Sequence, residues 1–232
     1  IIFIATIGIT GLLTFVIFPK VLPVFASMKI ALPMTTKILI ATLNFLLVYW
    51  WALLLGLATA IVALKIVLRF EPVKYFFDRL LFYIPVVSSL TVDIAMSNFT
   101  RTMGVLLKSG VRIVEAVNIT ARTMDNLVYR RILLSAAEDI GRGEQFVNIL
   151  NKNKKFFPVI LASLIEIGEN TGNLEDNLFY LSEYYSEEVG TMVGNLTSLL
   201  EPLLLLVMGV IVGFVALSII TPIYEVTSGI HG

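Results

Sequence analysis

The feature that most constrains this chain is a stretch near its C-terminal end where an amphipathic helix pattern runs into an apolar one. After Asn173, apolar residues recur at helical spacing with acidic residues between them. The run from Leu203 to Ile220 contains no charged residue and is about as long as a bilayer core requires. We therefore predict one helix from Asn173 to about Thr221 that begins in water and ends in lipid.

The composition also indicates a membrane protein. Hydrophobic residues make up 57% of the chain and charged residues 15%, and the mean hydropathy is +0.90, whereas soluble domains carry about 25% charged residues. The formal net charge is zero, which gives no support to nucleic-acid binding. The chain has no cysteine, which excludes disulfides and thiolate chemistry. The single histidine, His231, is interpreted as a tail residue.

Apolar runs predict three transmembrane helices around one large polar region. The chain begins at Ile1 inside an apolar run without a basic n-region, so we expect a fragment of a larger protein rather than a signal peptide. The predicted organisation is a transmembrane helix at 1–18, an external loop at 19–43, a second transmembrane helix at 44–66, a cytoplasmic helical domain at 67–198, a third transmembrane helix at 199–221 and an external tail at 222–232.

Basic residues set the predicted orientation. All but three of the 17 Lys and Arg residues lie from Lys65 onward. Lys65 lies at the end of the second predicted transmembrane helix, and Arg69, Lys74 and Arg79 follow it. By the positive-inside rule, the large polar region is predicted to be cytoplasmic.

The polar region is predicted to be all helical, because no part of it alternates with period two over the length of a strand. About six helices joined by short turns predict an antiparallel bundle, and the last helix is continuous with the third transmembrane helix. Gly110 is the expected C-cap of the second helix. The predicted helices before the long one cover 71–83, 88–109, 113–123, 126–140, 144–150 and a segment from 157 to about 168.

No catalytic, cofactor or metal site is predicted. The chain lacks H-E-x-x-H, G-x-S-x-G and G-x-x-x-x-G-K-[ST] motifs. The segment Gly104–Gly110 does not fit a phosphate loop, and Lys108 is interpreted as a solvated charge at a helix C-terminus. The acidic residues Glu183, Glu187 and Glu188 are interpreted as a solvated face. Two of these carboxylates could hold a divalent cation, but nothing else completes such a site.

The segment Gly168–Leu174 (GENTGNL) is the most distinctive in the polar region. It predicts a tight turn between helices in which Gly172 adopts a positive φ, while Thr171 and Asn173 make local hydrogen bonds. The alternative is that Glu169 contacts a basic partner surface. The structural interpretation is favoured from the residues alone.

Glu201 and Pro202 stand where the long helix is predicted to enter the membrane. Pro202 removes one backbone hydrogen bond and is expected to bend the helix. The Glu201 carboxylate is either hydrated or paired with Lys65 or Arg69.

Gly209 and Gly213 form a small-xxx-small face, which permits close packing of helices within or between subunits. Gly190 and Gly194 repeat this spacing outside the predicted transmembrane helix, where the pattern is less informative.

Several motifs, in the same order, resemble those of the type II secretion F family, the inner-membrane platform proteins of type IV pilus and type II secretion machines. The resemblance extends from Ile1 to about Val226. Asn170 and Asn173 replace an acidic and a basic residue that are frequent in the family's turn. The similar segments are the loop FPKVLPVFASM with Leu32-Pro33, Leu107–Ile113, Gly168–Leu174, Tyr185–Val189, Leu200–Pro202, Val212–Phe214 and Pro222–Tyr224.

The resemblance implies a non-enzymatic platform protein in the bacterial inner membrane. Such proteins form oligomers, contact a hexameric cytoplasmic ATPase and other inner-membrane components, and are associated with insertion or extraction of pilin or pseudopilin helices. We predict no cofactor and no nucleic-acid partner. The resemblance makes the family-motif positions candidates for structural or partner contacts, namely Gly110, Gly168, Glu169, Thr171, Gly172, Leu174, Glu201, Pro202, Gly209 and Gly213.

The alternative function is a transporter or channel subunit with a cytoplasmic regulatory domain. Three predicted transmembrane helices are few for a transporter, and none contains an ionisable residue away from its ends. A membrane enzyme ranks third, because no acid, base, nucleophile and metal set assembles.

Overall fold

The computed structural model describes residues 34–229, and this part of the chain is helical, without any strand. The predicted all-α fold class is confirmed for these residues. The predicted helix at 1–18, the first part of the predicted loop and His231 lie outside the described residues. The helices are α1 (Met34–Val67), α2 (Glu71–Leu80), a 3₁₀ turn (Leu81–Tyr83), α3 (Pro85–Lys108), α4 (Ile113–Thr123), α5 (Leu127–Gly141), α6 (Phe146–Lys152), α7 (Val159–Thr171) and α8 (Leu174–Gly229).

The described residues form two compact units. The domain unit is Ala63–Leu196, and the span unit consists of residues 34–62 and 197–229. Helix α8 has 56 residues and contributes to both units. The long helix predicted from Asn173 is therefore present as a single uninterrupted element.

Two helices of the described region are long and apolar enough to cross a membrane, by length and composition. They contain the candidate spans Val48–Val67 and Leu174–Ser218. The pair Glu71–Tyr83 and Pro85–Lys108 passes the same test only as a combination that is bent by 113°. Because α3 buries Met96, Phe99 and Met103 in the core of the domain unit, we interpret this pair as part of that unit.

Two helices extend beyond their predicted ends, while the predicted bounds of the membrane segments stay predictions. Residues 34–43 were predicted as the end of an external loop, but they form the first turns of α1. The chain contains neither proline nor glycine between Met34 and Leu55, so nothing interrupts the helix there. Residues 222–229 were predicted as tail, but α8 continues to Gly229, the first glycine after Gly213.

Helix ends in the domain unit follow local signals in the sequence. Asn126 caps α5 through its side-chain oxygen, which accepts a hydrogen bond of 2.9 Å from the Val128 amide. Gly110 has a φ of 81° after α3, and the Val111 amide donates to the Leu106 carbonyl at 3.0 Å. This is a Schellman C-cap, which confirms the predicted helix end at Gly110.

An aromatic cluster fills the centre of the domain unit. Phe99, Tyr129, Phe146 and Phe157 are fully buried, and the rings of Tyr129 and Phe157 lie 5.5 Å apart with edge-to-face geometry. The Tyr129 hydroxyl donates a hydrogen bond of 2.9 Å to the Phe156 carbonyl. Burial, and then the charge of Asp93, raises the pKa of Tyr129, which keeps the phenol protonated as a donor.

The first half of α8 packs on this core. Leu178, Leu181 and Tyr185, three of the apolar residues that recur at helical spacing after Asn173, are buried. Phe99 and Met103 are buried, but Ile94 is 43% exposed, because the buried face of α3 also passes through Met96, two positions further along the helix.

Small and hydroxyl side chains lie between α3 and α8. The hydroxyl oxygens of Ser97 and Ser186 are 2.9 Å apart, and the Ser89 hydroxyl contacts the Met192 sulfur at 3.8 Å. A Cβ at Gly104 would lie 3.5 Å from the Leu178 side chain. In these contacts, residue numbers increase along α3 while those of the contacting residues decrease along α8. The two helix segments therefore run antiparallel.

In the span unit, a hydrogen bond joins the beginning of α1 to the last part of α8. The Thr36 hydroxyl donates to the Ser218 carbonyl at 2.7 Å, and both residues are buried. Leu39 and Val215 are also buried. A buried hydroxyl needs such a partner, because a polar group without one is costly in an apolar environment.

Candidate functional site

Five of the predicted site residues lie at the turn between α7 and α8, namely Gly168, Glu169, Thr171, Gly172 and Leu174. Helix α7 ends at Thr171, and Gly172 follows in the left-handed region with a φ of 75°. The predicted conformation of Gly172 is confirmed. The Thr171 hydroxyl donates to the Ile167 carbonyl at 2.7 Å, so this side chain satisfies an acceptor in the last turn of α7.

At Gly168 the backbones of α7 and α8 come into close contact. A Cβ added at this position would lie 2.7 Å from the Leu174 Cα and 3.1 Å from the Leu174 side chain. A main-chain atom cannot move aside as the end of a flexible side chain can. Gly168 is therefore needed for the start of α8 to approach the end of α7.

The Glu169 side chain caps a different helix. One carboxylate oxygen accepts a hydrogen bond of 3.0 Å from the Phe146 amide, and the other accepts one of 3.1 Å from the Val147 amide. These amides belong to the first turn of α6, whose own N-cap residue, Gln145, makes no side-chain capping bond. A carboxylate at this position also interacts favourably with the helix dipole.

Asn177 makes a contact between α7 and α8 that was not predicted from the sequence. Its side-chain amide donates a hydrogen bond of 2.9 Å to the Leu164 carbonyl of α7. An asparagine in the first turn of a helix suggests local hydrogen bonding, but nothing in its sequence position identifies an acceptor 13 residues earlier. Together, Gly168, Glu169 and Asn177 tie α6, α7 and the start of α8 to one another.

Gly110 lies at the same end of α3 that approaches the first turns of α8. Two residues before it, the Lys108 ammonium is 5.2 Å from the centre of the Phe179 ring. Lys108 was predicted to be a solvated charge, and it is exposed as well as in contact with this aromatic face.

The remaining predicted site residues lie further along α8. Glu201 and Pro202 are exposed, and α8 runs through them without a break. A Cβ at Gly209 or Gly213 would meet no atom of the described residues within 4 Å, so none of these residues covers this face. The bend at Pro202, the partner of Glu201 and the contact role of the two glycines stay predictions.

A cavity of about 420 Å³ lies in the domain unit beside α2, α3 and the start of α5. Its polar lining includes Lys74, Asp78, Asn98 and Asp125. The Asp78 carboxylate accepts a hydrogen bond of 2.8 Å from the Leu127 amide and so acts as a helix cap. Among the described residues there is no cluster of three or more histidine and carboxylate groups that could hold a metal ion.

We expect Gly168→Ala to destabilise the domain unit by about 1–3 kcal/mol, because the added Cβ forces the backbones of α7 and α8 apart. Gly190→Ala is the matched control, since a Cβ there meets nothing within 4 Å. That control should stabilise the helix by roughly 0.5–1 kcal/mol. Denaturant unfolding in nanodiscs, followed by circular dichroism, measures both effects. Changes of equal sign in the two variants would contradict the close-contact interpretation.

We expect Glu169→Ala to cost about 1.5–3 kcal/mol of stability, because two amides in the first turn of α6 lose a charged acceptor. Glu169→Gln, which keeps one acceptor oxygen, should show a smaller loss. Glu166→Ala changes an exposed carboxylate on the same helix and should stay within about 0.5 kcal/mol of the wild type. The same unfolding assay applies. Equal stability of the two alanine variants would show that the cap is unimportant.

Comparison with known proteins places this architecture in a family. The family model described as "Type II secretion system (T2SS), protein F" matches residues 99–222, which include the core helices of the domain unit and most of α8. The chain is 31% identical over 226 residues to the type IV pilus assembly protein PilC of Thermus thermophilus, covering 97% of this chain and 56% of the relative.

Two further relatives cover a similar part of their length. The type IV pilus assembly protein TapC of Aeromonas hydrophila is 30% identical over 94% of this chain and 53% of the relative. The type II secretion system protein F of Pseudomonas aeruginosa is 26% identical over 96% of this chain and 55% of the relative. The chain thus spans about half the length of these curated relatives. Because the family model matches residues 99–222, from the core of the domain unit into α8, the chain belongs to the type II secretion system protein F family.

Proposed function

We propose that this chain is part of a non-enzymatic inner-membrane platform protein of a type IV pilus or type II secretion machine. Family membership supports this function, as do relatives named for type IV pilus assembly and for type II secretion. The proposed role is to couple a hexameric cytoplasmic ATPase to the insertion or extraction of pilin or pseudopilin helices.

The observation that carries the mechanical part of the proposal is the continuity of α8. Its 56 residues belong partly to the domain unit and partly to the span unit. At ~1.5 Å per residue the helix is roughly 84 Å long, and its backbone hydrogen bonds resist stretching. In the proposed mechanism, a displacement of the domain unit is transmitted along α8 to its apolar part.

The domain unit is the proposed receiver of the ATPase stroke, on the cytoplasmic side of the membrane. Basic residues directly after the candidate span Val48–Val67 support this orientation. The apolar part of α8 carries the open Gly209 and Gly213 face, which suits close packing with a pilin helix or with a second copy of this chain.

A transporter function has no specific observation in its favour. The part of α8 from Leu203 to Ile220 contains no ionisable residue, and the candidate span in α1 contains only Lys65, close to its end. Substrate pathways through membranes normally require polar or charged groups near the bilayer centre.

The first test is capture of the ATPase by the full chain embedded in nanodiscs. We expect the chain to retain a purified hexameric assembly ATPase from the same organism. Lys154→Glu, an exposed change in the basic turn after α6, should weaken retention about tenfold if the contact is electrostatic. Glu166→Lys reverses an exposed charge on α7 and serves as the control. Glu169 is unsuitable for this purpose, because its carboxylate caps α6.

Failure of the nanodisc-embedded chain to retain any assembly ATPase would contradict the proposed coupling. Accumulation of a solute inside liposomes that contain the chain would instead favour a transporter.

The second test is Pro202→Ala in the native gene. The substitution restores a backbone hydrogen bond within α8 and removes the expected bend. We expect pilus assembly or secretion to fall while the amount of protein in the membrane stays normal. Ala216→Gly is the control for a change in helix flexibility elsewhere in α8. Normal assembly in the Pro202→Ala strain would contradict transmission through a bend.

A further inference from the structure

Helix α2 begins immediately after the candidate span of α1. The span ends at Val67, and α2 begins at Glu71 after three residues. These residues form a tight turn in which the Leu68 amide donates to the Leu64 carbonyl at 2.9 Å and the Phe70 amide donates to the Val67 carbonyl at 3.2 Å. Because a residue spans at most ~3.6 Å, the first turn of α2 lies within roughly 15 Å of the end of the span.

The polar side of α2 faces the other helices of the domain unit. Lys74, Tyr75 and Asp78 are half-buried. Asp78 caps α5 through the Leu127 amide at 2.8 Å, and the Arg131 guanidinium lies 4.4 Å above the Tyr75 ring. These contacts fix the rotation of α2 about its own axis.

The opposite side of α2 and of the following 3₁₀ turn is apolar and exposed. We call Phe76, Phe77, Leu80 and Tyr83 the α2 apolar face. Their exposed fractions are 64%, 42%, 43% and 61%, and no residue of α2 is fully buried. A surface helix of a soluble protein turns its apolar side toward the core, so α2 has the reverse orientation.

The exposed apolar surface extends beyond the helix itself. Phe70, just before α2, is 61% exposed, while Ile84 and Val86, just after the 3₁₀ turn, are 46% and 54% exposed. Several large aromatic and aliphatic side chains exposed on one short segment are a mark of a membrane or protein contact.

Basic groups border this patch. Arg69 and Arg79 are exposed, and the Lys155 ammonium lies 4.5 Å from the centre of the Tyr83 ring. Glu71 adds one exposed carboxylate at the first turn. Basic residues around exposed aromatic rings match the surface of a bilayer that contains anionic lipids.

We infer that α2 lies on the surface of the bilayer that α1 crosses, with the α2 apolar face inserted among the lipid headgroups and the basic residues against anionic lipid. The inference rests on the proposed membrane crossing by α1. Chain continuity favours lipid over a protein as the occupant, because a three-residue turn leaves α2 beside the membrane surface. Helix α2 then anchors the domain unit to the lipid at the point where the chain leaves the bilayer.

Site-directed spin labelling tests this placement, because the full chain contains no cysteine. Single nitroxide labels are placed at Phe76→Cys and Leu80→Cys in the full chain, which is embedded in nanodiscs containing phosphatidylglycerol. Relative accessibility to oxygen and to a water-soluble nickel complex gives the depth of each label. We expect both labels to prefer oxygen, at a depth of roughly 5–10 Å below the headgroups.

Two further labels serve as controls. Val159→Cys labels a 71% exposed apolar side chain at the start of α7 and should be fully accessible to the nickel complex. Leu54→Cys labels the candidate span of α1 and should lie deep in the hydrocarbon. Replacing phosphatidylglycerol by phosphatidylcholine should make the labels on α2 shallower, as should the double variant Arg69→Glu/Arg79→Glu.

The outcomes separate the inference from the function on which it rests. A deep label at position 54 with water-exposed labels at 76 and 80 would overturn the placement of α2 alone. A water-exposed label at position 54 would overturn the membrane crossing itself. Labels at 76 and 80 that are shielded from both reagents would show that protein, such as a second copy of this chain, covers the α2 apolar face. Depths unaffected by lipid charge would overturn the role of the basic residues.

Discussion

The close contact between Gly168 and the Leu174 backbone is the constraint on which the rest of the domain unit depends. It determines where α8 begins and how its first turns lie against α7, because a side chain at position 168 would collide with main-chain atoms. Leu178 and Tyr185 then reach the aromatic core, and Ser186 meets Ser97 of α3. The absence of a side chain at Gly168 thus sets the position of α8, the helix that continues into the span unit.

Much of the secondary structure could be predicted from the sequence, because helix ends depend on residues within four positions of one another. Asn126 caps α5, Gly110 ends α3 with a positive φ, and α4 covers Ile113–Thr123 as predicted. The start of α1 and the end of α8 were predicted less well, because α1 begins directly after Pro33 and α8 continues past Pro222 to Gly229.

The contacts of the candidate site could not be predicted from local pattern. The amides that Glu169 binds lie 23 and 22 residues earlier in the chain, so its capping role depends on how α6 and α7 pack. Likewise, the alternation of apolar and charged residues in α2 indicates two faces but not which one meets the protein. The hydrogen bond from the Leu127 amide to the Asp78 carboxylate determines which face of α2 meets the protein, and this bond forms only in the folded domain unit.

The Glu169 cap has a consequence for local motions. Helix α6 has seven residues and is too short to be stable in isolation, where its first turn would be the earliest part to fray. A carboxylate of α7 holds the Phe146 and Val147 amides and so opposes this fraying, because opening the turn must also break both hydrogen bonds. The opening of the first turn of α6 is therefore coupled to the position of α7, which carries the capping carboxylate.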